Sequence, residues 1–422
     1  MDCKKQEIKK GIKLHVIRTD KFKTNLMAVF LTTKLTRENV TKNALISMLL
    51  RRGSKTMKTQ EEISKSMEEM YGAIFDCGLD KTGDNQVLKF YIESINDNYL
   101  PKHNENILEK SVRNLLEIVF NPYIENEGFK EEYVEQEKQN IKHRIEGKID
   151  NKARYANERC VEEMFKNEPF GLYKFGYEED LKDLNGKELY KYYQELINTC
   201  KIDIFISGDL KEQDENLIVE DENIKGLKER EPVFEMPKIE KREVKKENVV
   251  TESMEVTQGK LVLGLDVNIE NEEQKYIVLL YNSILGGSAN SKLFQNVREK
   301  AHLAYVASSS YLRYKNVIFI NSGIEISNYE KALELIREQI KEIKEGNFSE
   351  QDIEDSKKGI VSAIKTIYDE QDTAIMYYFG QELSGSNVSV EDYIKKMENI
   401  KKEEILDIAK NVKINTIYFL KD

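Results

Sequence analysis

The two halves of this chain repeat each other, and this internal repeat constrains the fold more than any other feature of the sequence. The segment FKEEYVEQEKQNI at 129–141 aligns with FSEQDIEDSKKGI at 348–360, and LLRRGS at 49–54 aligns with ILGGS at 284–288. In both halves the hydrophobic pattern predicts a strand, a helix that runs into glycine, two strands joined by a turn, and long amphipathic helices. A repeat of this length indicates duplication of a whole domain rather than a solenoid of short units.

The two repeats are predicted to be α+β domains separated by a polar linker. We predict an N-terminal domain over residues 1–215, a linker over 216–250 and a C-terminal domain over 251–422. The linker carries two of the five prolines and has no sustained hydrophobic period. Because each domain mixes strands with amphipathic helices, among them helices predicted at 103–120 and 130–165, we expect a β-sheet flanked by helices in each.

The composition argues against a nucleic-acid partner, a membrane location and secretion. The net charge of −11 disfavours a nucleic-acid partner, because binding to phosphates depends on lysine and arginine. Apolar runs such as KLVLGLDV are far shorter than the roughly 18 residues that predict a membrane span. The N-terminal segment lacks the apolar stretch of a signal peptide, and the four scattered cysteines are typical of reduced thiols. These features predict a cytoplasmic protein with no membrane association.

The stretch LGGSANSKLFQNVREKAHLAY at 285–305 closely resembles the second-domain signature of the M16 metallopeptidases, the pitrilysin or insulinase-like family. The resemblance covers nearly the whole chain and agrees with its duplicated architecture. It implies an α+β fold with two homologous domains of the LuxS/MPP-like metallohydrolase type, each a β-sheet flanked by helices.

Active members of that family carry H-x-x-E-H on a helix of the first domain. Histidines four residues apart lie on one helical face and bind the same zinc ion, and the glutamate between them activates a metal-bound water. When the family pattern is aligned on its glycine, Ala44 and Met48 occupy the two histidine positions and Ser47 the general-base position. A later family glutamate, which completes the ligand set, falls on Arg144, with His143 as the nearest alternative if the register shifts by one.

None of these replacements suits a zinc ion. Alanine has no ligand atom, the methionine thioether is a poor zinc ligand compared with imidazole, and arginine brings positive charge to the place of a dication. The four histidines, His15, His103, His143 and His302, include no pair three or four residues apart. We therefore predict that the chain has no metal or other cofactor of its own and that zinc belongs to a partner chain.

Arg298 and Tyr305 are seven residues apart in VREKAHLAY. The resemblance implies that an arginine and a tyrosine so placed hold the substrate backbone and help to stabilise the oxyanion of the tetrahedral intermediate. Guanidinium and phenol groups suit that role, since both donate directional hydrogen bonds to a developing negative charge. The residues alone leave another interpretation open, in which Arg298 forms an ordinary ion pair and Tyr305 packs in a strand.

Some bacterial members of the family divide one active site between two similar chains. One chain carries the zinc motif and the other keeps the arginine–tyrosine pair, and the present sequence matches the second pattern. This predicts a chain that is not active alone, forms a heterodimer with a zinc-bearing M16 paralogue, acts on peptides or unfolded polypeptides, and can form a homodimer in isolation. Two alternatives remain open: a structural or interaction protein with no proteolytic role, and a peptidase with a non-standard metal site built on His143 and nearby acids.

Metal analysis separates the last alternative from the others. We expect the chain purified without a partner to contain far less than one equivalent of zinc, as measured by inductively coupled plasma mass spectrometry, because the ligand positions hold no zinc-binding side chains. Stoichiometric zinc in the isolated chain would contradict this prediction.

Overall fold

The computed structural model describes residues 2–101 and 106–422. The strands are β1 (Cys3–Lys9), β2 (Ile12–Arg18), β3 (Thr24–Lys34), β4 (Ile74–Thr82), β5 (Asn85–Ile95), β6 (Ile124–Glu125), β7 (Gly128–Phe129), β8 (Lys201–Gly208), β9 (Asn248–Ser253), β10 (Gly259–Val267), β11 (Ala304–Leu312), β12 (Val317–Ile324) and β13 (Val412–Lys421). The helices are α1 (Val40–Leu49), α2 (Gln60–Glu69), α3 (Ile107–Phe120), α4 (Glu131–Glu146), α5 (Lys152–Met164), α6 (Gly186–Thr199), α7 (Asn216–Val219), α8 (Glu222–Gly226), α9 (Gln274–Asn282), α10 (Tyr329–Lys344), α11 (Glu350–Lys365), α12 (Gln371–Ser384), α13 (Val390–Glu398) and α14 (Lys402–Lys410). The first three residues of the helix predicted at 103–120 lie outside the described residues.

The chain divides into two compact units, and each unit takes one helical segment from the other half of the sequence. Unit 1 comprises Met1–Glu146, Leu172–Met236 and Tyr368–Leu383, and unit 2 comprises Gly147–Gly171, Pro237–Ile367 and Ser384–Asp422. The single helix predicted at 130–165 is two helices, α4 in unit 1 and α5 in unit 2. Its equivalent in the second repeat is likewise divided into α11 and α12, and α12 belongs to unit 1. This exchange is not evident from the sequence, in which each repeat is one contiguous segment.

The two sheets share one topology. The strand order is β1-β2-β8-β3-β5-β4 in unit 1 and β9-β13-β10-β12-β11 in unit 2, so unit 1 differs by the additional strand β1. The equivalent pairs β2–β8 and β9–β13 are parallel, whereas the other neighbours in both sheets are antiparallel. The predicted α+β fold, with a helix-flanked sheet in each repeat, is confirmed.

The central strand β3 is buried on both faces. Val29 and Leu31 lie in a hydrophobic core with residues of α1 and α3, whereas Ala28 and Phe30 lie in a second core with residues of α12. The ring of Phe30 meets that of Phe379 edge-on, with centroids 4.5 Å apart. Burial on both faces explains why β3 appears in the sequence as a continuous apolar run rather than an alternating one.

A buried carboxylate fixes α12 to the sheet of unit 1. Glu382 Oε1 lies 2.7 Å from Lys13 Nζ and 3.3 Å from Lys201 Nζ, and its Oε2 lies 3.4 Å from Lys5 Nζ. Burial alone would raise the pKa of the Glu382 carboxyl, but the charge of Lys201 and the hydrogen bond from Lys13 outweigh it and lower the pKa to about 2. The carboxylate is therefore ionised and paired throughout the physiological pH range.

Helix α5 has the equivalent place in unit 2, with the charges reversed. Arg159 on α5 donates from Nε to Glu252 Oε2 of β9 at 3.1 Å, and Tyr418 of β13 donates to the same oxygen at 2.7 Å. Gly264 of β10 allows α5 to approach closely, because a Cβ there would lie 2.6 Å from Met164 Sδ. Each exchanged helix is thus fixed to its sheet by apolar packing and by a charged contact.

The linker predicted at 216–250 is more ordered at its ends than the sequence suggested. Helices α7 and α8 lie within its first part, and β9 begins at Asn248. Between them, residues 228–247 form no helix or strand, but Val233 N donates to Thr199 O at 2.8 Å and its own carbonyl accepts from Lys34 N at 3.0 Å. Val233 is therefore tied to the end of α6 and to the end of β3 in unit 1 by backbone hydrogen bonds.

The four cysteines are free thiols in the structure. Cys160 and Cys200 are buried, and burial raises the pKa of both thiols to about 12, so they remain protonated. In the part of the chain that the structure describes, no helix combines the length and the apolar character needed to cross a bilayer.

We expect Glu382→Gln to lower the free energy of unfolding by about 1–3 kcal/mol at pH 7, because it removes the charged acceptor of Lys13 and the ion pair of α12 with the buried Lys201. A carboxyl whose folded-state pKa is lowered contributes stability above its ordinary pKa and loses that contribution as the pH falls through the folded value. The difference between the native chain and the variant should therefore narrow between about pH 5 and pH 2.

Urea denaturation followed by circular dichroism measures this difference across the pH range. Glu195→Gln, which neutralises an exposed carboxylate on α6, is the matched control and should change stability by less than about 0.5 kcal/mol. Equal effects of the two variants at pH 7 would show that Glu382 does not fix α12.

Candidate functional site

Helix α1, which holds the positions aligned with the family zinc motif, is a packing helix. Ala44 is fully buried, and Ser47 is buried with its Oγ donating to the Ala44 carbonyl at 2.8 Å. Met48 is half-buried against the core of unit 1. The side chains at the two histidine positions and the general-base position therefore serve packing and local hydrogen bonding.

A short turn follows α1 and presents two arginines. The chain continues as a 3₁₀ turn over Leu50–Arg52, and this turn ends at Gly53. Glycine is required there by a close approach, since a Cβ would lie 2.5 Å from the Lys58 carbonyl oxygen. Arg51 and Arg52 are both only partly exposed in this turn.

A buried ion pair joins this turn to helix α4. Arg52 Nε donates to Glu137 Oε1, and Asn140 Nδ2 donates to Glu137 Oε2 at 3.0 Å. The Glu137 side chain is only 2% exposed, so its negative charge depends on Arg52 for compensation. The sequence analysis missed Glu137, although a signal was present: Val134, Glu137 and Ile141 share one face of α4, and a carboxylate on an apolar face predicts a buried partner.

Arg144 lies in the last turn of α4 and is exposed. Its guanidinium carbon lies 5.2 Å from the ring centroid of Phe175, which is a cation–π contact. His143 beside it is also exposed. Burial raises the pKa of the nearby Cys77 thiol to about 11 despite the opposing charges of Arg51 and Arg144, so this thiol stays protonated at neutral pH.

The residues at this place do not fit a zinc centre. Among residues 2–101 and 106–422, no three His, Cys, Asp or Glu side chains come together in a way that would hold a metal ion. His103 lies outside the described residues. His15 is fully buried, with its Nε2 2.9 Å from Asp203 Oδ1 and its ring stacked on Phe205. With cations and apolar groups in place of the family ligands, we derive no step through a metal in this chain.

Arg298 and Tyr305 lie on either side of one short turn in unit 2. Arg298 belongs to a π-helical segment, Leu293–Lys300, and Tyr305 is the second residue of β11. Between them, His302 adopts a left-handed conformation with φ of 54°. The turn therefore connects the end of a helix directly to the start of an edge strand.

Tyr305 faces solvent because of a β-bulge. The pairing of β11 with β12 shifts register between Ala304 and Val306, which leaves Tyr305 as the extra residue. Tyr305 as a whole residue is 66% exposed, and Val306 is 54% exposed. Tyr305 therefore lies in a strand, as the alternative interpretation held, but it is exposed rather than packed. The bulge is a feature that strand periodicity alone does not reveal.

Arg298 is held by weak contacts. Its side chain is 43% exposed, and its Nε lies 3.5 Å from Oε1 of Glu299, which is itself half exposed. Its guanidinium carbon lies 4.6 Å from the ring centroid of Phe294. An ion pair between exposed groups contributes little, so a stronger anionic acceptor can displace Glu299.

We expect Arg52→Met to lower the free energy of unfolding by about 3 kcal/mol, because it leaves the Glu137 carboxylate buried without its counter-charge. Adding Glu137→Leu to that variant should recover most of the loss, since the double variant contains no uncompensated buried charge. Chemical denaturation of the three proteins measures both effects.

The control is Arg113→Met, which removes an exposed arginine that pairs with Glu109 four residues earlier. This change should lower the free energy of unfolding by less than about 1 kcal/mol. If Arg52→Met costs no more than the control, the Arg52–Glu137 pair does not secure α4.

Comparison with known proteins places the chain in a family. Residues 183–360 match the family model described as the peptidase M16 inactive domain. The chain is 34% identical over 417 residues to the probable inactive metalloprotease YmfF of Bacillus subtilis strain 168, covering 97% of this chain and 96% of that protein. It is 23% identical over 265 residues to the uncharacterized zinc protease YmxG of the same strain, covering 61% of this chain and 63% of that protein.

A solved structure extends the similarity to three dimensions. The crystal structure of a conserved protein from Enterococcus faecalis V583 matches with a TM-score of 0.89 at 29% identity, covering 100% of this chain and 99% of that one. The resemblance found in the sequence is thereby confirmed over almost the full length. The chain belongs to the M16 peptidase family, as a peptidase-like member of the inactive kind.

Proposed function

We propose that this chain is the non-catalytic subunit of a heteromeric zinc peptidase, in which a zinc-bearing M16 paralogue provides the metal and this chain supplies Arg298 and Tyr305. The observation that carries the proposal is the position of Tyr305, which lies on a bulged edge strand and is 66% exposed. A large aromatic side chain so exposed contributes little to packing, and bulges commonly redirect a side chain towards a functional site.

The chemistry of the two side chains suits a supporting role in peptide hydrolysis. A phenol and a guanidinium donate hydrogen bonds to a peptide carbonyl oxygen and, more strongly, to the oxyanion that forms when the carbonyl is attacked. The partner's zinc would supply Lewis-acid activation of the carbonyl and the attacking water. Arg298 suits this role because its side chain is half exposed and its ion pair with Glu299 joins two exposed groups.

This chain's own first unit supports the same division of labour. Ala44 and Ser47 are buried in the packing helix, Met48 lies against the core, and Arg144 stacks on Phe175. None of these side chains can activate water or bind a divalent ion in these positions. In the proposed complex the reacting water would be activated by the partner chain, and this chain would contribute the groups that hold the substrate.

Two further parts of the proposal concern the partner and the compartment. One Bacillus subtilis strain has both a relative named an inactive metalloprotease and a relative named a zinc protease, which supports a pairing of two M16 chains. The substrate we propose is a peptide or an unfolded polypeptide. We place the complex in the cytoplasm, where the four free cysteines would remain reduced.

The test uses the complex of this chain with a zinc-bearing M16 paralogue from the same organism and a quenched fluorescent peptide library as substrate. We expect Arg298→Met or Tyr305→Phe to lower kcat/KM by about 100-fold, with most of the loss in kcat, because each removes a donor to the transition state. Association of the two chains, measured by analytical ultracentrifugation, should not change.

Matched controls remove an arginine and a phenol from other exposed positions. Arg337→Met and Tyr99→Phe should leave kcat/KM within about twofold of the unmodified complex, because surface changes away from the site have small effects. Unchanged turnover in the Arg298 and Tyr305 variants would contradict the proposal and favour a structural role. A loss of turnover explained by loss of association would contradict it equally.

A further inference from the structure

A cleft of about 630 Å³ lies within unit 1 beside helix α12. Strands β3, β4 and β5 and the start of α12 contribute its walls. The cleft is large enough for a small organic ligand or for a long side chain of a peptide. Its lining carries mostly negative charge beside an apolar surface. Both properties limit which ligands the cleft can bind.

The charge in the cleft is strongly negative. Five carboxylates line it, namely Asp76, Glu93, Asp369, Glu370 and Asp372. In the described part of the chain, Asp369 pairs with Lys21 at 2.5 Å, whereas the other four form no ion pair with a lysine or arginine. One lysine lines the cleft, Lys89, and it is bonded to Asp80.

The tyrosine in the wall responds to this charge. Burial, together with the negative charges of Asp80, Asp372 and Asp76, raises the pKa of Tyr91. The carboxylates are therefore close enough to the wall to affect a group within it. A cation entering the cleft would reduce the electrostatic repulsion of the carboxylates for one another.

An unsatisfied hydrogen-bond acceptor lies in the same lining. Gln371, at the first position of α12, is 6% exposed, and its Nε2 donates to the Thr24 carbonyl at 3.1 Å and to Thr24 Oγ1 at 3.0 Å. Its Oε1 has no hydrogen-bond partner among the described residues. A buried acceptor without a donor costs about 1–3 kcal/mol, so an N–H group from a ligand would offset a real deficit.

The apolar part of the lining suits an aliphatic chain. Leu26, Tyr91 and Met376 lie beside the carboxylates, and Tyr91 Oη lies 3.8 Å from Met376 Sδ. Methylene groups pack favourably on such a surface while a charged end group remains near the carboxylates. The ring of Tyr91 adds attraction for a cation above its face.

We propose that this cleft binds an organic cation on an aliphatic stem, an ammonium or guanidinium group carried either by a free polyamine or by a lysine or arginine side chain of a bound peptide. The N–H groups of the ligand would donate to the carboxylates, and one that reached the buried Gln371 Oε1 would satisfy that acceptor. The site lies wholly within unit 1 and needs no partner chain, so its existence does not depend on the proposed peptidase role.

Isothermal titration calorimetry of the full chain in 20 mM salt tests the site with two probes, spermidine and the peptide acetyl-Lys-Lys-Lys-Lys-amide. We expect one-to-one binding of at least one probe. Replacing two carboxylates with their amides, Glu93→Gln and Asp372→Asn, should weaken that binding at least tenfold, because it removes half of the unpaired charge. The matched control, Glu61→Gln with Glu195→Gln, makes the same charge change at exposed positions of unit 1 and should weaken binding less than twofold.

The two probes also identify the source of the cation. Binding of spermidine alone indicates a free polyamine, binding of the peptide alone indicates a basic side chain, and binding of both supports the shared chemistry. The proposal is overturned if neither probe binds at 1 mM. It is also overturned if the cleft variant and the control variant lose affinity equally, since binding would then depend only on net charge.

Discussion

Each sheet of this protein depends on a helix supplied by the opposite half of the sequence. In unit 1 the second face of the central strand is covered by α12, and in unit 2 residues of α5 form a core with the sheet. Removing α12 would expose Phe30 and Phe205, two of the largest fully buried side chains. Because burial of apolar surface is the main favourable term in folding, neither half of the sequence contains a complete core of its own. The charged contacts of Glu382 and Glu252 are directional and fix the orientation of α12 and α5 on their sheets.

The helices that carry the positions aligned with the family zinc ligands are joined in this chain by side-chain contacts. In the zinc-bearing pattern that the sequence resembles, ligands from two helices meet at one ion, which joins those helices. Here the turn after α1 and the helix α4 are joined by the buried pair of Arg52 and Glu137. The positions that align with the family ligands are occupied by packing groups and by a surface arginine on Phe175. The first unit thus keeps its arrangement of helices with no zinc-binding side chain at these positions.

Sequence patterns predicted those parts of the fold and site that depend on local order. The continuous apolar run of β3, the helix ending at Gly53 and the repeat of elements all follow from residue spacing. The exchange of α5 and α12 could not be predicted in this way, because the hydrophobic face of a helix indicates that it packs but not against which sheet. The bulge at Tyr305 depends on the partner strand, and the Arg52–Glu137 pair joins residues 85 positions apart. The cleft likewise combines Asp76 and Glu93 with residues 369–372, and the helix exchange brings these parts of the chain into one unit.

If this chain completes an active site whose metal belongs to another M16 chain, the two chains must be active only together. The most direct measurement compares peptide cleavage by this chain alone, by a zinc-bearing paralogue alone and by the two mixed in equal amounts. We expect that neither chain alone cleaves at an appreciable rate, that the mixture does, and that a chelator abolishes the activity of the mixture. Cleavage by this chain alone, or a mixture no more active than the paralogue alone, would contradict it.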